Sequence, residues 1–113
     1  MKKKMLQFVD LEQITPNKRV TGERKKDFHE IYQEFIRDKA EEQSSRCSQC
    51  GVPFCQVHCP LSNNIPDWLK LTAEGRLKEA YELSQSTNNM PEVCGRICPQ
   101  DRLCEGNCVI EQS

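Results

Sequence analysis

The sequence predicts a small all-α domain, and three observations predict it. Apolar residues recur at helical spacing in three segments. No segment carries the period-two alternation of a half-buried strand. Eight cysteines fall into two tight groups separated by helical sequence. A chain of 113 residues holds one domain or a piece of a longer protein. Its apolar fraction is 36%, with four Phe, two Tyr and one Trp, so the hydrophobic core is expected to be thin. Domains of this size commonly need a covalent or metal staple, and the cysteines are the evident one.

Residues 1–20 read as an irregular lead-in, with Pro16-Asn17 as a turn signal. Residues 21–113 read as the domain proper. Its first helix is expected from Thr21 as N-cap, with Phe28, Ile31, Tyr32, Phe35, Ile36 and Ala40 forming an apolar stripe for the core. Lys25, Lys26, Glu30, Glu34, Arg37 and Glu41 lie mostly off that stripe. A tight loop follows from Cys47 to Cys59. Asn63-Asn64-Ile65-Pro66 then opens a second helix, since proline suits the first turn, and Gly75 closes it. Trp68, Leu69 and Ala73 face inward in this reading, and Trp68 is expected to pack around the cysteine loops. A third helix carries Leu77, Ala80, Tyr81 and Leu83 and dissolves near Asn88-Asn89. Cys94 to Cys108 forms a second loop with single helical turns, so the two loops make a weak pseudo-repeat.

Net charge and leader pattern narrow the function classes. Sixteen basic against 17 acidic residues leave a formal charge of −1, which is not a nucleic-acid footprint. No stretch approaches the roughly 20 apolar residues of a membrane span. Met1-Lys2-Lys3-Lys4 resembles the start of a signal peptide, but Met5 to Glu12 is too short and too charged for its apolar region. The expectation is a cytoplasmic chain. In that compartment closely spaced cysteines point to metal rather than to disulfides.

The first group is Cys47-x2-Cys50-x4-Cys55-x3-Cys59-Pro60, and the second is Cys94-x3-Cys98-Pro99 followed by Cys104-x3-Cys108. Cubane iron–sulfur clusters need four thiolates converging from several directions, and short loops supply that convergence without a large scaffold. Eight thiolates suffice for two four-iron clusters. Structural zinc favours pairs of C-x2-C steps, and only Cys47/Cys50 makes one. A proline directly after Cys59 and after Cys98 matches the ferredoxin run, whose last cysteine ligates the other cluster. Chain order alone suggests one cluster per group; the Cys-Pro steps suggest crossing. Ser48, Gln49 and Gly51 are candidates to aim backbone N–H groups at sulfur, and His58 and His29 read as outer or surface residues. Five scattered glycines form no phosphate- or dinucleotide-binding loop, and no nucleophile–base pair is evident.

The run from Arg46-Cys47-Ser48-Gln49-Cys50-Gly51-Val52-Pro53-Phe54-Cys55 to His58-Cys59-Pro60, with Asn63 to Trp68 and Cys94 to Cys108, resembles the N-terminal domain of the glutamate synthase small (β) subunit. The same domain type occurs in dihydropyrimidine dehydrogenase and related NADPH-linked flavoproteins. The resemblance covers nearly the whole chain. It implies an α-helical ferredoxin-like domain with two [4Fe–4S] clusters, placed ahead of a region that binds FAD and NADPH. It implies one cluster on Cys47, Cys50, Cys55 and Cys108, and the other on Cys59, Cys98 and Cys104, with Cys94 as fourth ligand or neighbouring thiol. It also implies that electrons pass from NADPH through FAD and the clusters to the large (α) subunit, where glutamate forms. Nothing in these residues matches the flavin region, so the chain is expected to be a fragment whose partners are its own C-terminal region and the large subunit, with no catalytic residue of its own. The rival readings are a zinc-binding adaptor and the iron–sulfur domain of another flavoprotein oxidoreductase.

Overall fold

The computed structural model describes residues 4–112; Met1, Lys2 and Lys3 of the basic opening, and Ser113, lie outside the described residues. The described chain is helical, with α1 (Thr21–Arg24), α2 (Arg37–Ser44), α3 (Phe54–His58), α4 (Ile65–Ala73), α5 (Leu77–Gln85) and α6 (Pro91–Ile97). Single 3₁₀ turns lie at Gln7–Val9, Gln100–Arg102 and Glu105–Asn107. The all-α expectation holds. Among the described residues no helix is long and apolar enough to cross a membrane.

The helical hairpin between the cysteine loops forms as its sequence dictates. Pro66 stands in the first turn of α4, where its missing N–H has no helical partner to lose. The helix ends on Gly75, whose φ of 78° is left-handed. Arg76 N–H donates to the Leu71 carbonyl at 2.9 Å and Gly75 N–H to the Thr72 carbonyl at 3.0 Å, the paired bonds of a Schellman motif. Leu77 then starts α5, and α4 packs on both α5 and α2. Ala73 is 0% exposed and Ala80 7%, and with Pro66 they are the buried apolar residues of the described chain, so the core is as thin as the composition implied. Trp68 is half-buried rather than enclosed.

The long first helix does not form. Its start survives as α1 and its end as α2, while residues 25–36 run without helix and Phe28 is fully exposed. Local polar bonds win over the apolar periodicity. The Asp27 carboxylate accepts the His29 N–H at 3.0 Å, and the Glu30 carboxylate accepts the Tyr32 N–H at 3.2 Å. Such side-chain-to-backbone bonds offer the chain an alternative to helix. The Asp27 carboxylate also takes a two-pronged ion pair from Arg19. The segment then pairs with the lead-in: Arg19 N–H donates to the Ile31 carbonyl and Gln33 N–H to the Asn17 carbonyl, each at 2.7 Å, around an isolated antiparallel bridge of Lys18 and Tyr32. Of the expected stripe, Phe28, Ile31, Tyr32 and Ile36 are therefore exposed on a strap, while Phe35 is half-buried on it and Ala40 half-buried in α2.

The lead-in is also less loose than the sequence suggests. Leu6 N–H donates to the Cys47 carbonyl at 3.0 Å and Gln7 N–H to the Ser45 carbonyl at 2.9 Å. The Gln43 side chain bonds both the Glu12 carbonyl and the Ile14 N–H.

Candidate metal centre

Helix α2 leads into the first candidate ligand, Cys47. Ser45 turns its hydroxyl back to the Glu42 carbonyl at 2.6 Å, and Cys47 N–H donates to the Ser44 carbonyl at 3.3 Å, so the winding runs loosely on into Cys47. Ser44, Ser45 and Arg46 are all buried just before it. Gln49 then takes a left-handed φ of 52°, which reverses the chain between Cys47 and Cys50. An uncommon backbone for a residue with a side chain is a frequent mark of a functional turn. Its backbone N–H donates to the Cys47 sulfur at 3.4 Å. Its side-chain amide donates to the same sulfur at 3.3 Å and to the Pro66 carbonyl at 2.8 Å, tying the loop to the start of α4. The Ser48 hydroxyl and Cys50 sulfur are hydrogen-bonded at 3.0 Å.

The other cysteines follow one repeated device. Cys55 and Cys59 bracket the end of α3, with Cys59 N–H donating to the Cys55 carbonyl at 3.1 Å. Cys94 and Cys98 bracket the end of α6 in the same way, at 2.8 Å. Cys59 and Cys98 are both extended, with ψ of 124° and 133°, because the proline that follows each disfavours helical backbone before it. Cys108 closes the Glu105–Asn107 turn, also extended at ψ 138°. The pseudo-repeat read from spacing is thus a physical one: a cysteine at a helical end, another one turn on, and the chain then leading away.

The two groups meet in space. Helix α3 packs on the Glu105–Asn107 turn, which in turn packs on the Gln100–Arg102 turn. The Cys55 thiol is pushed up to about 11, first by burial and then by the neighbouring Cys108, Cys47 and Cys104. Burial likewise raises the Cys104 thiol, with Glu105 and Cys98 adding to it. All eight cysteines are half-buried and none is in a disulfide. Among the described residues no three His, Cys, Asp or Glu side chains close to the spacing of a single-ion shell. A cubane sets each thiolate on a different iron and asks for wider separation. An all-thiolate donor set with amide and hydroxyl donors on its sulfurs suits such a cluster.

His58 turns Nδ1 to the Phe54 carbonyl at 2.8 Å and His29 is exposed, which keeps both in the outer roles expected of them. Of the backbone N–H groups expected at sulfur, the Gln49 one is there; the side-chain donors of Gln49 and Ser48 were not foreseen, nor was Arg46, 7% exposed beside Cys47. Its only sequence signal was a charge placed against a cysteine.

Residues 24–113 match the family described as dihydropyrimidine dehydrogenase domain II, 4Fe-4S cluster. The chain is 73% identical over 110 residues to the glutamate synthase [NADPH] small chain of Azospirillum brasilense, which covers 97% of this chain and 23% of that protein. It is 52% identical over 110 residues to the Escherichia coli K12 protein of the same name, with the same coverage. Against the Bacillus subtilis one it is 38% identical over 112 residues, covering 91% of this chain and 22% of that one. The chain therefore spans under a quarter of the length of these curated relatives. With the match running from before the first cysteine to the end of the chain, this protein belongs to the dihydropyrimidine dehydrogenase domain II family of 4Fe-4S domains.

Proposed function

We propose that this chain is the electron-transfer domain of an NADPH-dependent glutamate synthase small subunit and that it carries two [4Fe–4S] clusters. The observation that carries the reading is the packing of α3 on the Glu105–Asn107 turn, which brings thiols of both sequence groups together. Cys47, Cys50, Cys55 and Cys108 would hold one cluster, in the crossed arrangement. Cys59, Cys98 and Cys104 would hold the other, with Cys94 as its fourth ligand or a neighbouring thiol. The influence of Cys108 and Cys47 on Cys55, and of Cys98 on Cys104, supports that division. Cys104 also acts on Cys55, as two adjacent sites would require.

When bound, the clusters supply one-electron transfer. The chain's own work is to hold the thiolates, to exclude water from them, and to set donors on the sulfurs. Gln49 and Ser48 do this at Cys47 and Cys50. Hydrogen bonds to sulfur and burial are the levers that set a cluster's potential. The identity to glutamate synthase [NADPH] small chains supports the NADPH-linked setting and a companion large subunit; an FAD-binding C-terminal region and a cytoplasmic location complete the proposed setting.

Anaerobically prepared protein should hold about eight iron and eight sulfide per chain, as two four-iron clusters require. Stoichiometric zinc without sulfide refutes the reading. Spin resonance on reduced protein tests the ligand division. Cys108→Ser should perturb the signal that Cys50→Ser perturbs, and Cys94→Ser should act mildly. If Cys108→Ser instead destroys the signal that Cys98→Ser destroys and spares the other, the crossed arrangement is wrong.

A further inference from the structure

We infer that the two clusters are unequal, and that Gln49, as a positioning residue on the Cys47 sulfur, makes the cluster of the Cys47–Cys50 loop the first of the pair to take an electron. The inference rests on the cluster reading above. It is indifferent to whether the groups cross, because Cys47 and Cys50 share one site, and Cys98 and Cys104 the other, in both arrangements. Three observations carry it. Two donors of one residue meet a single sulfur: the Gln49 backbone N–H lies 3.4 Å from Cys47 Sγ and its side-chain Nε2 3.3 Å. The same Nε2 donates to the Pro66 carbonyl at 2.8 Å, so the amide is held in place from the start of α4. Next to it the Ser48 hydroxyl lies 3.0 Å from Cys50 Sγ, and it is the donor once that sulfur is a thiolate. Among the described residues, side-chain donors therefore reach sulfur at Cys47 and Cys50, both in this loop. The backbone of Gln49 is the third observation. Its φ of 52° is one that glycine adopts freely and glutamine does not. Glycine would make this turn with less strain; what glutamine adds is the amide.

Reduction of a four-iron cluster adds one electron to its core and makes or breaks no bond to the chain. The sulfurs share the added charge and become better acceptors. A donor already in place then stabilises the reduced state more than the oxidised one. Donors on Cys47 and Cys50 raise the potential of that cluster accordingly. At the other site the neighbouring group is of the opposite kind: the Glu105 carboxylate, next to Cys104, acts against negative charge there. An electron entering the domain settles on the Cys47–Cys50 side.

The test is a potentiometric titration of the cluster-loaded chain with a soluble low-potential one-electron reductant, followed by spin resonance. Signals are assigned through Cys50→Ser and Cys98→Ser. In the wild type, the signal that Cys50→Ser alters should appear first as the potential falls. Gln49→Gly keeps the turn and the backbone donor but removes the amide. It should move that midpoint to lower potential and leave the other in place. A residue that only shaped the turn would leave the midpoint unmoved, since glycine suits that backbone. If Gln49→Gly retains no iron, Gln49→Met decides by the same midpoint, being similar in length and without a donor. A wild-type titration in which the Cys98→Ser signal appears first overturns the inference, as does an unmoved midpoint in the Gln49 variant. A wild-type chain that binds no iron and sulfide refutes the cluster reading itself, whereas a loaded chain with the order reversed refutes only this inference.

Discussion

Replacing Gly106 with alanine should cost the domain both of the cysteines that flank it. Gly106 lies between Cys104 and Cys108, in the turn that packs on Gln100–Arg102. A Cβ built there would meet the Asp101 carbonyl, with the carbonyl carbon only 2.9 Å away and the oxygen closer still. The obstacle is backbone rather than the tip of a flexible side chain, so one of the two turns must move. The φ of Gly106 is not in the left-handed region, so the alanine is unwelcome for its contact and not for its backbone. Overpacking of this kind costs about 1–3 kcal/mol. At about 1.4 kcal/mol per tenfold, that is roughly one to two powers of ten in the folded population. Buried alanines alone are a small reserve against it. The assay is iron and sulfide per chain after anaerobic reconstitution, read beside the thermal transition. Gly95→Ala is the control, since a Cβ at Gly95 meets nothing within 4 Å and it lies in α6, where alanine is favoured by about 1 kcal/mol. Gly106→Ala should lose much of its iron with a lowered transition, while Gly95→Ala keeps both. A Gly106→Ala chain that loads like wild type refutes the argument.

Other outcomes follow from features already described. Gly75→Ala forces a side chain into left-handed backbone, which costs about 1–2 kcal/mol, and sets its Cβ 3.2 Å from Glu41 Oε1; thermal unfolding should show the loss, and an unchanged transition refutes it. Metal capture needs thiolates, and the Cys55 thiol holds its proton up to about 11. Affinity in a pH-varied metal titration should therefore climb as pH rises toward that value, and a flat profile is the contrary result. The Asp27 carboxyl is held down to about 2, first by the Arg19 guanidinium and then by the His29 N–H. A depressed carboxylate contributes stability that is full above the ordinary carboxylate range and lost as pH falls through the depressed value. Protection of the His29 amide, measured against its intrinsic exchange rate at each pH, should fall below about pH 3.8 and continue to fall toward about 2, and Asp27→Asn should abolish that pH dependence; protection that does not vary with pH there refutes the link.

What could be read from the sequence was whatever local chemistry decides. Pro66 at a helix start and Gly75 at a helix end are backbone statements, and α4 and α5 formed where those residues put them. The cysteine spacing was equally legible, because Cys-x3-Cys is one helical turn and a following proline ends it. The first helix misled because Phe28, Ile31, Tyr32 and Phe35 have the right period for a buried face. Period reports a face only where something covers it. Here Asp27 and Glu30 bonded their own backbone, and Arg19 drew the segment into pairing with the lead-in. The grip of the lead-in on Cys47 was likewise out of reach, since its bonds are made largely by backbone N–H groups, which every sequence possesses.

The packing of α3 on the Glu105–Asn107 turn also sets a timetable for the newborn chain. A ribosome adds roughly 5–20 residues each second, so the fifty-odd positions between Cys55 and Cys108 take about 3–10 seconds to emerge. Throughout that interval Cys47, Cys50 and Cys55, soon joined by Cys59, have left the ribosome with their neighbouring turn still unmade. Exposed thiols are open to oxidation, and a half-emerged chain has few buried apolar contacts with which to hide them. Translation speed across residues 60–107, and the oxygen present meanwhile, should therefore govern the yield of sound domain as strongly as any property of the finished fold.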